Sequence, residues 1–546
     1  MVRSVVRLQE AVAEPEVAPE PALARGVDLP SRLGSAVDLL TGGGDQRIAL
    51  DETTGLNRYG CAPFPDPGAL AFGSSTASVI SVRAFAGVEG LTGRLSAALA
   101  AGAEPERLYA QEIGRVRREL VDLLGLADLA GLRTVISRSG TDLHHMVAQL
   151  VGAGSGAPPL VIASEASETG SGVGQALGGL SSPGTALRAQ VAAWPARGAA
   201  PGAARLCQLL PIAARAPDGA VRPPEQVDEE VAAAACAAAG AGRKVVLILM
   251  DSSKTGLISP SVACALALKR RFPEQLEVLV DGCQLRLSPA TVRAYLQADF
   301  LVALTGSKFM TGPTFSAALL APAGAVQRLG ANGLPPALGV HSARADWPSD
   351  WPGAEALPAR ANFGLLVRWQ AALDEMRPFL SLDPGQVHGV FAAMAKAVGA
   401  ELDHNRQFER VIQRPLDRAA LGVEAGWDTV HTIHPFLLKD ASGPIGPEDA
   451  LGLYRLAAMD LGGWARAVGE DQRTQSAASL RVQLGQPVAC GHRGGRPLSA
   501  LRLCASARLA CDALASDGAG AQAAIDQALG ALDKTAWLCR RMTASR

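Results

Sequence analysis

Residues 276–313, LEVLVDGCQLRLSPATVRAYLQADFLVALTGSKFMTGP, carry the reading on which the fold turns. Phe300–Leu304 is an unbroken apolar run, Leu276–Val280 is apolar but for Glu277, and Pro289–Gln297 between them has helical periodicity. Strand, helix and strand in that order predict a unit of parallel sheet buried on both faces. The pattern extends outward. Val245–Met250 is another such strand, followed by a helical stretch at Ser261–Arg271, and Thr134–Ile136 and Leu160–Ala163 are shorter strands upstream. Pro105–Leu126 and Leu143–Val151 read as helices. The expected fold class is therefore α/β, a mostly parallel central sheet covered by helices.

The rest of the chain is organised around that sheet. Residues 1–104 read as a lead-in and site-lining segment, with a flexible Glu/Pro/Ala stretch at 11–25. Residues 105–345 are the expected large domain, and 346–400 the connecting helices. Residues 401–546 form an expected smaller α+β domain with strands at Ser479–Leu484 and Ala500–Ala505. The Pro/Ala-rich stretch 181–225 reads as a loop-like excursion. With 51 Lys+Arg against 52 Asp+Glu, the 546-residue chain lacks the basic excess of a nucleic-acid binder. Nine scattered cysteines without a CxxC pair argue against a zinc site and for a reducing compartment. His144/His145 and His431/His434 read as packed or solvated residues, so no metal is expected. No run reaches the ~18 apolar residues of a membrane span. The first residues lack the apolar core of a signal peptide, so a cytoplasmic protein is expected, with neither membrane nor nucleic acid as partner.

Chemistry is expected beyond the carboxyl ends of the strands, where ligands of open parallel sheets bind. After Thr134–Ile136 comes Ser139-Gly140-Thr141-Asp142, opening a helix whose backbone amides and dipole suit a phosphate, or a plain N-cap. After Leu276–Val280 comes Asp281-Gly-Cys-Gln284, a carboxylate that is costly at a buried strand end unless it meets a cation. After Phe300–Leu304 comes Thr305-Gly-Ser-Lys308, then Gly312-Pro313. A lysine in that position is either a surface cation or an amine suited to imine chemistry.

Taken together, SGTD (139–142), VDGCQ (280–284) and TGSK…GP (305–313), with SSKTGLISP (252–260) after the preceding strand, resemble the fold-type I pyridoxal 5′-phosphate enzymes. The likeness is to the class V aminotransferase and cysteine desulfurase branch, and it covers most of 130–320. It implies a Schiff base on Lys308, which also moves protons, and Asp281 facing the pyridine nitrogen; these two are the expected catalytic residues. It implies cofactor contacts from Gly140, Thr141, Asp142, Thr169, Ser252, Gln284 and Ser307 as well. Two departures stand out: Glu168-Thr169 replaces the Glu-His pair of the desulfurases, and Ser252 or Ser253 replaces an asparagine. For the substrate, the resemblance points to an arginine of the C-terminal domain, here Arg502, with Arg481 and Arg360 competing. Asn57, Tyr59 and Ser75 in the polar N-terminal block are candidates for the substrate mouth or a turn cluster. The implied activity is transformation of an amino acid, with transamination first and a Cβ lyase as the alternative. A non-catalytic module that keeps the fold is the further alternative. A homodimer is the expected assembly.

Overall fold

The computed structural model describes residues 33–44, 46–73, 78–170, 172–177, 207–515 and 519–543. The first strand, β1 (Ala69–Phe72), belongs to a smaller sheet described below. The larger sheet takes β2 (Arg133–Ser137), β3 (Leu160–Ser164), β4 (Gln208–Ile212), β5 (Val245–Asp251), β6 (Ile258–Ser259), β7 (Leu276–Gly282), β8 (Leu301–Thr305) and β9 (Ala317–Ala321). Its order is β2-β9-β8-β7-β5-β3-β4, with β6 hairpinned onto β5. Along that path β9 alone runs against its neighbours, so the sheet is mostly parallel.

Burial on both faces explains the continuous apolar runs. Every residue of β5, β7 and β8 is buried. Alternate side chains feed two cores: Leu247, Leu249, Val278, Val280, Val302 and Leu304 on one face, and Val246, Ile248, Leu279, Leu301 and Ala303 on the other. The helix Gly140–Gly152 closes the second face through Leu143, Met146, Val147 and Leu150. The helix Phe363–Leu380 joins the first through Leu366, Trp369 and Leu373. At ~25 cal/mol per Å² of apolar surface removed from water, each such side chain contributes about 1.5–3 kcal/mol.

The smaller sheet adds β10 (Phe408–Arg410), β11 (Ile433–Asp440), β12 (Gly443–Pro444), β13 (Arg481–Arg493) and β14 (Arg496–Cys504) in the order β1-β13-β14-β11-β10, with β12 on β11. Strand β1 pairs in parallel with β13, Ala69 opposite Arg481 and Phe72 opposite Leu484, so the N-terminal block is stitched to the C-terminal sheet. The connecting helices are Phe363–Leu380 and Pro384–His404.

Three sequence expectations need correction. The stretch read as loop-like at 181–225 contains β4, an edge strand whose Pro211 and partial exposure mask its pattern; 178–206 lie outside the described residues, as does 11–25. The strands expected at Ser479–Leu484 and Ala500–Ala505 are the two arms of one longer hairpin. Gly494 and Gly495, at φ 56° and 77°, form its two-residue turn between paired Arg493 and Arg496. His431 precedes β11 instead of lying within it.

Candidate active site

The carboxyl ends of β2, β3, β5, β7 and β8 open on one edge of the large sheet. Register aligns them: Met250 lies opposite Asp281, Asp281 opposite Ala303, and both Ser137 and Thr305 opposite Ala317. Backbone strain gathers at the same edge. Among the described residues six non-glycine residues have positive φ, and five of them (Ser252, Leu285, Lys308, Thr311 and Phe315) sit in the loops that leave or enter these strand ends. Left-handed conformations at such residues persist only where surroundings over-determine them, as they do at functional sites.

Asp281 is brought against His144, a residue read from sequence as merely packed. The Nε2 of His144 lies 3.2 Å from Asp281 Oδ2, with the two side chains 1% and 7% exposed. The other ring nitrogen, Nδ1, lies 2.7 Å from the carbonyl of Gly140. A carbonyl accepts only, so Nδ1 carries a proton. Nε2 makes no hydrogen bond despite its 3.2 Å approach to the carboxylate, so what favours an imidazolium here is the nearby Asp281 charge. Burial disfavours both charges, yet the Asp281 charge lifts the His144 pKa above its ordinary value. Burial likewise pushes Asp281 upward, but the charges of His144 and Lys308 hold it well below the usual carboxylate range. The backbone N–H of Cys283 donates to the second oxygen, Oδ1, at 3.1 Å.

Lys308 follows β8 in a tightly held loop. Its φ is 59°, and its carbonyl accepts from Thr311 N–H at 3.0 Å. Gly312 N–H donates to the carbonyl of Gly306 at 3.0 Å, and Thr305 Oγ1 donates to the carbonyl of Cys283 at 2.6 Å. Ser307 Oγ donates to Thr305 Oγ1 at 3.2 Å, tying that hydroxyl into the loop. A Cβ on Gly312 would stand 2.6 Å from the Gly306 oxygen and 2.9 Å from Ala372 Cα, so the loop is pressed onto the helix Phe363–Leu380. The charge of Lys308 bears on His144, Asp281, Cys283 and Lys254, which places all five residues in one electrostatic neighbourhood.

The Ser139–Asp142 turn opens the helix Gly140–Gly152, with Ser139 Oγ accepting from the Asp142 N–H at 3.2 Å. That amide is thus engaged by the N-cap. The Asp142 carboxylate pairs with Arg138 at 3.3 Å. Thr141 is half-buried beneath the Gly172 backbone, where a Cβ would come within 3.2 Å of its Oγ1.

Glu168 was expected to face the site beside Thr169. It lies instead in a closed ion-pair network. Arg215 Nε donates to it at 2.7 Å, Ser253 Oγ at 2.6 Å and Thr255 Oγ1 at 2.8 Å, with the Glu168 and Arg215 side chains 1% and 3% exposed. Ser253 is consumed in this network, whereas Ser252 stands at the strand end with φ 63°. Arg502 is buried and donates to the Gln486 carbonyl at 2.8 Å and to the Lys254 carbonyl at 3.4 Å. Of its competitors, Arg481 pairs with Asp66 at 2.6 Å and Arg360 is exposed. The side-chain oxygen of Asn57 accepts from the backbone N–H groups of Tyr59 and Cys61 at 2.9 and 3.1 Å, holding its own turn. Asn57 also lines a pocket with Cys61, Ser78, Pro313 and Thr314, next to the lysine loop. Tyr59 packs on Cys61 and Val79, and Ser75 lies outside the described residues.

Sequence reasoning missed three further residues: His144, Arg215 and Arg286. His144 stands one helical turn beyond Gly140, a spacing that could have flagged it. Arg286 Nη1 donates to Thr432 Oγ1 at 2.6 Å and to the Ala505 carbonyl at 2.9 Å, and its guanidinium lies 5.0 Å from the Phe309 ring centroid. It joins the strand-end loop after Asp281 to the residues that precede β11 and follow β14 in the small sheet.

No family model and no curated protein matches the chain. Among solved structures it is similar to Oryza sativa TDC with PLP, at 15% identity and TM-score 0.45, covering 87% of this chain and 84% of that one. It is also similar to the cysteine desulfurase CsdA from Escherichia coli, at 16% identity and TM-score 0.46, covering 85% and 94%. A NifS-like protein matches at 10% identity and TM-score 0.46, covering 84% and 98%.

Proposed function

We propose that this chain is a pyridoxal 5′-phosphate enzyme acting on an amino acid, with Lys308 as the amine that holds the cofactor. One observation carries the reading: Lys308, at a strained strand end, shares its surroundings with an Asp281 that His144 keeps ionised. The residues fit the group. Thr169 Oγ1, Gln284 Oε1 and Thr311 Oγ1 are buried without a hydrogen-bond partner, which a sealed polar core does not leave. Gly140, Thr141 and Ser307 would hold its phosphate, the Asp142 N–H being taken by Ser139 and its carboxylate by Arg138; Asp281 would meet its ring nitrogen, Gln284 and Ser252 its ring oxygen, and Thr169 would lie against the ring. When bound, the cofactor supplies an electron sink for bonds at the substrate's α-carbon.

What the chain's own residues do follows from their placement. Asp281, held negative by His144, keeps a proton on whatever nitrogen faces it. Lys308 moves a proton at the reacting carbon. Arg502 is the candidate for a substrate carboxylate, which would have to replace its contacts with the Gln486 and Lys254 carbonyls. Transamination needs no further group, and two cysteines speak against sulfur transfer. Burial and the Asp281 charge raise the Cys283 thiol well above its ordinary pKa, and burial pushes Cys61 up to about 12. Neither supplies the thiolate that would receive sulfur. A Cβ lyase that releases its product without a thiol acceptor is the remaining reading, favoured by Gln284 at the strand end. We propose a homodimer as the assembly.

Adding pyridoxal phosphate to purified protein is expected to give a visible absorption band that borohydride removes, and Lys308→Ala is expected to lose it. No band in the wild type would refute the reading. A band that survives in Lys308→Ala would move the amine to Lys254. Formation of pyridoxamine phosphate with release of a 2-oxo acid identifies transamination; sulfide, sulfite or pyruvate without pyridoxamine phosphate identifies the lyase.

A further inference from the structure

Two arginines grip the main chain of the loop that follows Lys308, one at each end. Arg508 belongs to the helix Ala507–Ala515, which follows β14 of the smaller sheet. Its Nη2 donates to the Thr311 carbonyl at 3.3 Å and to Glu375 Oε1 at 2.6 Å, and its Nη1 donates to the Val79 carbonyl at 3.0 Å. Arg368, buried on the helix Phe363–Leu380, donates from Nε to the Phe315 carbonyl at 3.1 Å. Its other nitrogens donate to the carbonyls of Leu39, Leu40, Gly42 and Gly43. Thr311 and Phe315 are both left-handed, at φ 60° and 73°, so each arginine holds a residue whose conformation needs outside support. Thr311 in turn donates its N–H to the Lys308 carbonyl at 3.0 Å. The pocket beside the loop takes one wall, Pro313 and Thr314, from between the two gripped carbonyls and the other, with Leu40 and Ser78, from the N-terminal block that both arginines also hold.

We infer that Arg508 is a positioning residue for Lys308: its guanidinium, anchored on the buried Glu375, fixes the Thr311 carbonyl and through it the backbone that presents the Lys308 amine. The inference rests on Lys308 being the reactive amine proposed above. A planar fork meets three oxygens on three separate segments at once, which the point charge of an ammonium does not orient. Glu375 Oε2 also pairs with Arg83 at 3.1 Å, but Arg83 is exposed and among the described residues donates to no carbonyl of the loop. Arg83 thus shares the ion pair without sharing the grip, and the two effects can be separated.

Hydrogen exchange of the protein as purified reads the loop first. In Arg508→Met the amides of Thr311 and Gly312 are expected to exchange at least about tenfold faster, the range of one charge-assisted hydrogen bond, while the amides of β5 keep their wild-type rates. Arg83→Met, which removes an ion pair from the same carboxylate, should leave the loop amides unchanged. Positioning is read next, with pyridoxal phosphate at saturation. The limiting rate at which the borohydride-sensitive band forms is expected to fall at least about tenfold in Arg508→Met, because a misplaced amine reacts slowly however well the cofactor binds. A role confined to stability would leave that limiting rate in place. Arg508→Lys keeps a cation beside Glu375 without the fork; it is expected to show both changes and stands in for Arg508→Met should that variant not fold. Loop exchange within about twofold of wild type, an equal effect in Arg83→Met, or an unchanged limiting rate would each overturn the inference. Failure of the cofactor reading shows separately: faster loop exchange in Arg508→Met, with no band in the wild type, supports the grip on the loop and counts against the cofactor.

Discussion

Replacing His144 by leucine isolates the ion pair beneath the strand-end loops. In the variant, Asp281 keeps its burial but loses the imidazolium 3.2 Å away. Breaking a buried pair typically costs about 3–5 kcal/mol, yet the carboxyl has an escape, because it can take up a proton. At pH 6, protonating a carboxyl of ordinary pKa ~3.9 costs about 1.36 × 2.1, or roughly 3 kcal/mol, and this caps the loss. The expected loss at pH 6 is therefore about 2–3 kcal/mol. Linkage fixes how the loss varies. The Asp281 pKa is depressed by folding, so its contribution is present above the unfolded value and fades as pH falls through and below that value. The His144 pKa is raised, so its contribution is full below the unfolded value of ~6.5 and fades as pH climbs through the raised one. The gap between wild type and His144→Leu should thus peak at about pH 5–7 and narrow on both sides. Urea unfolding of the two proteins across pH 4–9 reads it, with about 1.4 kcal/mol equal to a tenfold change in the folding constant. A gap under about 0.5 kcal/mol at pH 6, or one that is flat across the range, would refute the pairing.

Gly312→Ala forces a methyl to within 2.6 Å of the Gly306 oxygen, so it should cost about 1–3 kcal/mol and lower cofactor affinity, read by thermal unfolding and by titration of the visible band. Glu168→Ala leaves the Arg215 guanidinium buried without its carboxylate and should destabilise by about 3–5 kcal/mol in urea, whereas Glu168→Gln should cost less because hydrogen-bond acceptors remain. Light scattering at working concentration should report a dimer; a fully active monomer would contradict the proposed assembly.

Nearly continuous apolar runs made β3, β5, β7 and β8 legible, because strands buried on both faces admit few polar residues; Glu277 inside β7 is the exception and is paired with Lys269 and Arg328. Strand β4 was not legible, since an edge position tolerates Pro211 and leaves its side chains partly exposed. Lys308 and Asp281 could be found because each directly follows a readable strand. Their partners could not. His144 reaches Asp281 from another strand–helix unit, and Arg215 reaches Glu168 from the end of a stretch that reads as loop. Pairings of that range are created by sheet order, which places β7 three strands from β2, and periodicity does not encode order. The Gly494–Gly495 turn is a different kind of miss: the dipeptide signal was present in the sequence and went unread.

Two carboxylates stand at the carboxyl ends of β3 and β7, the strands on either side of β5, and the cations they meet set them different tasks. Glu168 meets Arg215 and also accepts from Ser253 and Thr255. Its hydrogen bonds fasten the loop after β3 to the loop after β5, which carries Lys254. Asp281 meets a histidine, the side chain whose charge changes nearest neutral pH. Its surroundings can be adjusted by a single proton on His144, while the backbone N–H of Cys283 keeps the carboxylate in place through either state. The pair at Glu168 thus sets the geometry of the loops, and the pair at Asp281 sets the electrostatic balance that Lys308 experiences. Exchanging the cations should exchange the consequences: an arginine opposite Asp281 would remove the pH dependence of the pair without removing the charge, and a histidine opposite Glu168 would make the Lys254 loop loosen as pH rises.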